Sequence, residues 1–319
     1  MKKLKLLFTS VGRRVELMQA FRSAAEELGI DLEIWGADIT MTAPALFFCD
    51  KSVKVCKISD SEYIPQLLRL CEEEKFDVLI PTIDTDLLLL SQNKESFKKV
   101  GTTVLISKEQ KIKLCRDKRF TAEYFHSVGL NSPSPVDDYR SYSGGFPAFI
   151  KPKDGSSSIF AYKVNSQEEL ETYAKQVPDY IIQPFIEGKE YTIDIFCDFD
   201  GNPIYITPRE RMAVRAGEVL KTRIVNDERM VCEMGKLLAD YKPCGPITVQ
   251  LIQQAETKEN FYIEINPRFG GGAPLSMKAG ADSAKALLRI ICGEKIPYSP
   301  GAAENGAVYC RFDQSIRVE

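Results

Sequence analysis

The sequence predicts an α/β protein in two parts: a parallel, doubly wound sheet up to residue 106, then an α+β region whose compact unit starts near Phe146. Three observations carry this prediction. Short apolar strands alternate with helices up to residue 106, the pattern of a parallel sheet covered on both faces. A proline-rich connector, NSPSP from Asn131 to Pro135, and a polar, turn-rich stretch at 139–145 interrupt the chain. Beyond residue 146 the strands pair as hairpins, with Asp200-Gly201 as one turn signal. A chain of 319 residues suffices for two or three compact units.

In order, LKLLFT at 4–9 is the first strand. SVGRR at 10–14 turns into a helix at 15–28, with Val15, Met18, Phe21, Ala25 and Leu28 on one face and Gly29 as its stop. Strands follow at 31–37, 53–58, 77–80 and 102–106, with helices at 63–75 and 86–99 between them. Ligands of such sheets bind beyond the carboxyl ends of the strands, which here carry residues 9–14, Asp38 and residues 81–86. SVGRR has one glycine where a dinucleotide fingerprint needs three, so NAD is not expected. Arg13 and Arg14 either hold an anion or stand exposed in a first helical turn. Asp84 and Asp86 either hold an amine or cap the next helix.

Two connecting helices are expected at 108–116 and 117–128. A hairpin follows, with strands at 146–153 and 159–164 around DGSSS (Asp154–Ser158), and Lys151 on the first strand. Its loop is either a plain polar turn or a donor-rich flap for phosphates. A helix at 166–176 is capped by Ser166 with Glu169 three residues on. Strands come next at 180–183, 191–198 and 203–207. Arg209, Arg211, Arg215, Lys221 and Arg223 then crowd a span broken by Gly217, read as a solvated face or as a loop facing an anion. After a helix at 227–241, strands at 245–253 and 261–265 pair and bring Gln250 near Glu264. A helix at 276–292, interrupted around Gly280, and a strand at 307–312 complete the chain.

The densest chemistry lies in FYIEINPRFGGG, from Phe261 to Gly272. Alternation sets Phe261, Ile263 and Ile265 on one face and Tyr262 and Glu264 on the other. Glu264 and Asn266, two apart, point the same way, and a carboxylate beside an amide oxygen is hard-oxygen ligation suited to Mg²⁺. Arg268 and Gly270–Gly272 add a cation and backbone that a ligand can approach closely.

Composition narrows the classes. With 44% hydrophobic and 27% charged residues this is an ordinary globular protein, and a net charge of -3 gives no reason to expect nucleic acid or an anionic membrane. Nine cysteines, with no CxxC spacing, argue for buried thiols in a reducing cytoplasm rather than a disulfide or zinc framework. His126 is the only histidine, which removes histidine triads and His-rich metal sites. No apolar run reaches membrane-spanning length, and the opening run is too short for a signal segment.

Read together and in this order, FIKPKDGSSS, QPFIEGKEYTID and EINPR resemble the ATP-grasp superfamily over most of the chain. The pattern looks most like the carbamoyl-phosphate-synthetase large-subunit type. The resemblance implies a Rossmann-like pre-ATP-grasp domain at 1–107 and an ATP-grasp domain at 108–319. Within the latter it implies a mobile lid about 118–185 and a catalytic subdomain about 186–319. It implies that Lys118 and Lys151 contact ATP phosphates, with Gly155, Ser156, Ser157 and Ser158 as the phosphate loop. Gln183, Pro184, Phe185 and Ile186 would line the adenine pocket, and Glu190 would bond the ribose. Gln250, Glu264 and Asn266 would hold Mg²⁺ or Mn²⁺, and Arg268 with Lys151 would act in catalysis. Arg209, Arg211, Arg223, Gly271 and Gly272 would meet the acceptor. Gln183 and Gln250 depart from the Glu of many relatives, although the carbamoyl-phosphate type also has Gln at the second position.

The implied activity is an ADP-forming ligase that activates a small carboxylate as an acyl phosphate for attack by an amine or another nucleophile. These small molecules are the expected partners, with no nucleic acid or membrane, and a homodimer is an admissible assembly. The chain is about one synthetase component long and shows no second ATP-grasp half and no glutaminase segment, so carbamoyl phosphate is not the expected product. Two alternatives stand beside this reading: a bicarbonate-activating relative, and an ATP-binding regulatory protein without turnover.

Overall fold

A computed structural model describes residues 3–155 and 159–318. Ser156, Ser157 and Ser158 lie outside the described residues.

The first third contains β1 (Leu4–Thr9), α1 (Val15–Leu28), β2 (Leu32–Asp38), β3 (Lys51–Lys54), α2 (Tyr63–Glu74), β4 (Val78–Pro81), α3 (Leu87–Gln92), α4 (Lys94–Lys99) and β5 (Thr103–Val104). Its strands pair in parallel in the order β3-β2-β1-β4-β5, as the apolar strands require. The order reverses between β1 and β4, which makes their carboxyl ends the switch point of the sheet. The expected helix at 86–99 is two helices. Asn93 turns its Nδ2 onto the Leu89 carbonyl at 2.8 Å, a local bond that competes with the helical ladder. The expected strand at 53–58 is observed at 51–54, because its pairing with β2 ends at Asp38.

The rest contains α5 (Glu109–Arg116), α6 (Lys118–Ser127), β6 (Ala148–Pro152), β7 (Tyr162–Val164), α7 (Gln167–Ala174), β8 (Tyr180–Pro184), β9 (Gly188–Cys197), β10 (Pro203–Arg215), β11 (Glu218–Ile224), α8 (Glu228–Tyr241), β12 (Pro246–Gln254), β13 (Asn260–Asn266), α9 (Ala273–Lys278), α10 (Ser283–Ile291) and β14 (Val308–Cys310). They build a three-stranded antiparallel sheet, β7-β6-β8, and a six-stranded antiparallel sheet, β13-β12-β9-β10-β11-β14. Ser166 caps α7 by accepting from the Glu169 N–H at 3.2 Å.

Two departures bear on the site. The arginine-rich span is not a loop. It is the second half of β10 and its return as β11, turning at Ala216 and Gly217, both at positive φ (49° and 77°). Gly217 therefore closes a hairpin rather than opening an anion loop. Strict alternation also fails on β13. Gln250 faces Glu264, but Leu251 faces Tyr262, so Ile263 is the extra residue of a β-bulge. As a result Tyr262 and Ile265 both enter the core under α6 and α8, while Ile263 and Glu264 both face a cleft.

The parallel and six-stranded sheets share one core. Phe8 meets Phe21 edge-on at 5.1 Å, Phe21 meets Phe269 at 6.0 Å, and Phe269 stacks on Phe196 at 6.3 Å. All four rings are buried, each contributing about 1.5–3 kcal/mol. This packing brings the β1 and β4 ends against the loop that follows β13.

Candidate active site

A cleft of about 250 Å³ lies between the two antiparallel sheets. Lys118, Lys151, Asp154, Gly155, Glu190, Arg211, Gln250 and Glu264 supply its polar lining, and Phe149, Ile159, Tyr191, Leu251 and Ile263 are among its apolar walls. An apolar slot with convergent polar groups is the form of a nucleotide-sized ligand site. Lys151 is only 8% exposed on β6. Burial pushes its pKa down to about 8, repulsion from Lys118 adds to the shift, and Glu264 opposes it. Lys118 opens α6 and is lowered by burial as well, with Glu264 as the leading opposing charge. Its Nζ donates to the Gly155 carbonyl at 3.0 Å, which ties the helix to the β6–β7 loop.

Of the adenine group named from sequence, Gln183 lies 5% exposed on β8 with its Nε2 bonded to the Pro133 carbonyl at 2.6 Å. Phe185 has the Lys163 ammonium 4.1 Å above its ring. Neither these two nor Pro184 and Ile186 are among the residues lining the cleft. Phe149, Tyr191 and Arg211 do line it, and sequence reasoning missed the first two. Alternation along β6 was the available signal for Phe149, two positions from Lys151, whereas Tyr191, next to Glu190 on β9, had no such signal.

At the end of the cleft Asn266 Nδ2 donates to Glu264 Oε1 at 2.9 Å, and Gln250 sits opposite Glu264 across the strands. One carboxylate and two amides are hard-oxygen donors that fit Mg²⁺. With a single negative charge they would need phosphate oxygens to complete the shell, as Mg²⁺ sites in phosphoryl-transfer enzymes do. No cluster of three or more His, Cys, Asp or Glu side chains occurs among the described residues, so no independent protein cage competes with this site.

Beyond Asn266 lies a second chamber of about 90 Å³, lined by Asp84, Thr85, Lys118, Gly155, Glu264 and Asn266 among others. Here Arg268 forks onto Asp84, with Nη2 at 2.6 Å and Nε at 3.2 Å from Oδ2. Asp84 thus has an arginine partner from a residue 184 positions away. Asp86 caps nothing through its side chain. It is fully buried and accepts from Thr9 Oγ1 at 2.9 Å and the Tyr63 hydroxyl at 3.1 Å, and burial raises its pKa to about 6.

The three arginines named for the acceptor go to three different places. Arg209 is 2% exposed and bonds Asp194 at 2.7 Å, while Ser276 donates to the same carboxylate at 2.7 Å. Its guanidinium braces Gly272, where an added Cβ would stand 2.5 Å from Nη2. Arg211 lies in the cleft, bonding Glu190 at 3.2 Å and the Gly217 carbonyl at 2.9 Å. Arg223 is half exposed and pairs with Glu210 at 3.8 Å. Gly271 does face the junction with the first sheet, against Arg14 and Glu218.

Two family models match the chain: "PylC-like, N-terminal domain" over residues 6–105 and "ATP-grasp domain" over residues 115–272. The chain is similar to the carbamoyl phosphate synthase large chain, N-terminal section, of Aquifex aeolicus, with 24% identity over 74% of this chain and 49% of the relative. It is similar to the D-alanine–D-alanine ligase of the same organism, with 34% identity over 55% of this chain and 67% of the relative. The chain spans a quarter to a half of the length of the synthase large chains it matches. Among solved structures, the biotin carboxylase domain of Hydrogenobacter thermophilus 2-oxoglutarate carboxylase, in complex with MgADP, ADP and bicarbonate, superposes with a TM-score of 0.74. That match has 20% identity and covers 97% of this chain and 74% of that one, a likeness of fold. No described helix is long and apolar enough to cross a membrane.

Proposed function

The chain belongs to the ATP-grasp family, and on that premise we propose that it is an ADP-forming ligase that uses ATP and Mg²⁺ to activate a small carboxylate for attack by an amine or other nucleophile. The observation that carries this reading is the convergence of Lys118, Lys151, Gly155, Gln250 and Glu264, from one helix, one loop and three strands, on a single cleft. A carboxylate is a poor electrophile until phosphorylation provides a leaving group.

In this reading Lys118 and Lys151 bind the ATP phosphates, Gly155 covers them, and Glu190 holds the ribose hydroxyls. The apolar walls Phe149 and Leu251 pack against the base. Gln250, Glu264 and Asn266 hold Mg²⁺, which neutralises charge on the phosphates in transfer. Arg268, set by Asp84, faces the oxygen of the transferred phosphoryl group and of the acid that receives it. Residues 1–107 serve as the domain that closes the acceptor side, and 108–319 as the ATP-grasp unit.

The test is ADP release from MgATP in the presence of a defined pool of amino acids and organic acids, with mass spectrometry of the product. The reading requires acid-dependent ADP release that Glu264→Ala abolishes. MgATP binding without ADP from any acid would sink it. Bicarbonate as the acceptor is the second reading, favoured by the small chamber beside Asn266. It requires bicarbonate-dependent ADP release with no organic acid present.

A further inference from the structure

Three side chains far apart in sequence meet over Gly271. Arg14 follows β1 in a turn where Ser10, a non-glycine, holds φ +54°, a strained conformation that concentrates at functional sites. Arg14 Nη2 donates to the Thr82 carbonyl at 3.3 Å, and its Nη1 stands 3.9 Å from Glu218 Oε1. Arg311, just past β14, donates from Nη1 to Glu218 Oε2 at 3.3 Å and from Nε to Glu16 at 2.9 Å. One carboxylate is therefore shared by two guanidinium groups. A Cβ on Gly271 would overlap Glu218 Oε2 and stand 2.8 Å from Arg14 Nη1, so glycine keeps this place open.

The one carboxylate in ion-pair range of Arg14 is Glu218, at 3.9 Å and half exposed. The Arg14 side chain is 19% exposed, and burial, then repulsion from Arg268, disfavours its charged form. A poorly hydrated guanidinium beside another one calls for an anion. The turn also lies at the β1/β4 switch point, where doubly wound sheets bind ligands.

We propose that the place over Gly271, between Arg14 and Arg311, is a carboxylate-binding subsite for the acceptor acid, filled by Glu218 in the empty protein. Glu218 leaves when the acid enters. It is 53% exposed at the start of β11, next to the hairpin turn, and so is free to swing into water. Arg268 and Asp84, only 12% and 32% exposed and joined by a short fork, stay paired. This subsite rests on the ligase reading and adds to it the residues that recognise the acid. A tethered carboxylate competes at high effective concentration, so removing its charge strengthens binding of a free one.

The test is calorimetric titration of the full chain with malonate, with MgADP titrated separately. The wild type should bind malonate saturably. Arg14→Gln should weaken that binding at least tenfold, and Arg14→Lys by less, since it keeps the charge and loses the fork. Glu218→Gln should tighten it at least threefold, and MgADP affinity should stay within twofold throughout. Malonate binding absent from both wild type and Glu218→Gln, or unchanged by Arg14→Gln, overturns the subsite. Weaker malonate binding in Glu218→Gln overturns the exchange. If Arg14→Gln does not fold, Arg14→Lys and Glu218→Gln still decide through their opposite signs. A wild type that binds malonate but not MgADP overturns the ligase reading instead.

Discussion

The lysines of the cleft and the arginines around Gly271 and Asp84, proposed as the nucleotide and acceptor sides, are balanced in opposite ways. In the cleft, Arg211 pairs with Glu190, but buried Lys151 and half-buried Lys118 beside it form no ion pair among the described residues. On the acceptor side each arginine has a carboxylate: Asp84 for Arg268, Glu218 for Arg14, Glu16 for Arg311. The cleft is thus poised for a ligand that brings several negative charges, and its lysines are costly until one arrives. The acceptor side already has its charges met and gains only by exchanging one carboxylate for another. On the proposed reading, nucleotide should bind tightly and acid weakly but selectively, and calorimetric titration of each measures that difference.

The largest test strikes where the regions join. Glu264→Ala should lower acid-dependent ADP release by about 10³-fold, because the site's one carboxylate ligand is lost from both regions at once. Steady-state ADP assays measure it, and an unchanged rate would remove Glu264 from the metal site. Lys151→Met comes next. It should weaken MgADP binding by about 10²-fold, since a charge-assisted contact to phosphate in a dry site is lost. Its melting temperature should nevertheless stay level or rise, because an unpaired buried charge is replaced by an apolar chain of like volume. A fall of several degrees would show that the lysine is paired in the empty protein after all.

The pH profile sharpens the same contrast. Lys151 sits at about 8 when the cleft is empty, and a bound phosphate raises it. Binding therefore takes up a proton where the lysine is partly neutral. Affinity for MgADP should be flat below pH 8 and fall above it, approaching tenfold per unit. In Lys151→Met that slope should vanish, and titrations in buffers of different ionisation enthalpy should show no proton uptake. The smallest effect belongs to Asp84→Asn on the acceptor side. Freed from its carboxylate, Arg268 loses orientation but keeps its charge, so kcat should fall by about fivefold while MgADP affinity holds. An equal loss in both would mean that Asp84 supports the fold rather than Arg268.

Much of the cleft was legible in the chain because its signals are local. Lys151 precedes a small polar hairpin, and Glu264 and Asn266 are spaced to share a strand face. A fold of alternating strands and helices follows from apolar periodicity alone. The errors came where a non-local contact overrode a local pattern. Gly217 suggested a loop, but pairing with β9 as far as Glu210 and then with β11 carries β10 through to Arg215. Alternation set Ile263 with the core, but the bulge turned it to the cleft and drew Tyr262 inward, where its hydroxyl reaches Glu233 at 2.7 Å.

By itself, then, the sequence determined the two-part α/β organisation and singled out the lysines and the strand that line the cleft, because each is written within a few consecutive residues. Only the tertiary structure decided what meets over Gly271. Arg14, Glu218, Gly271 and Arg311 come from a first turn, a hairpin, a glycine loop and the last described strand's exit, and nothing in their local sequence pairs them. Their meeting depends on the shared core of Phe8, Phe21, Phe196 and Phe269, which presses the switch point of one sheet against the end of another.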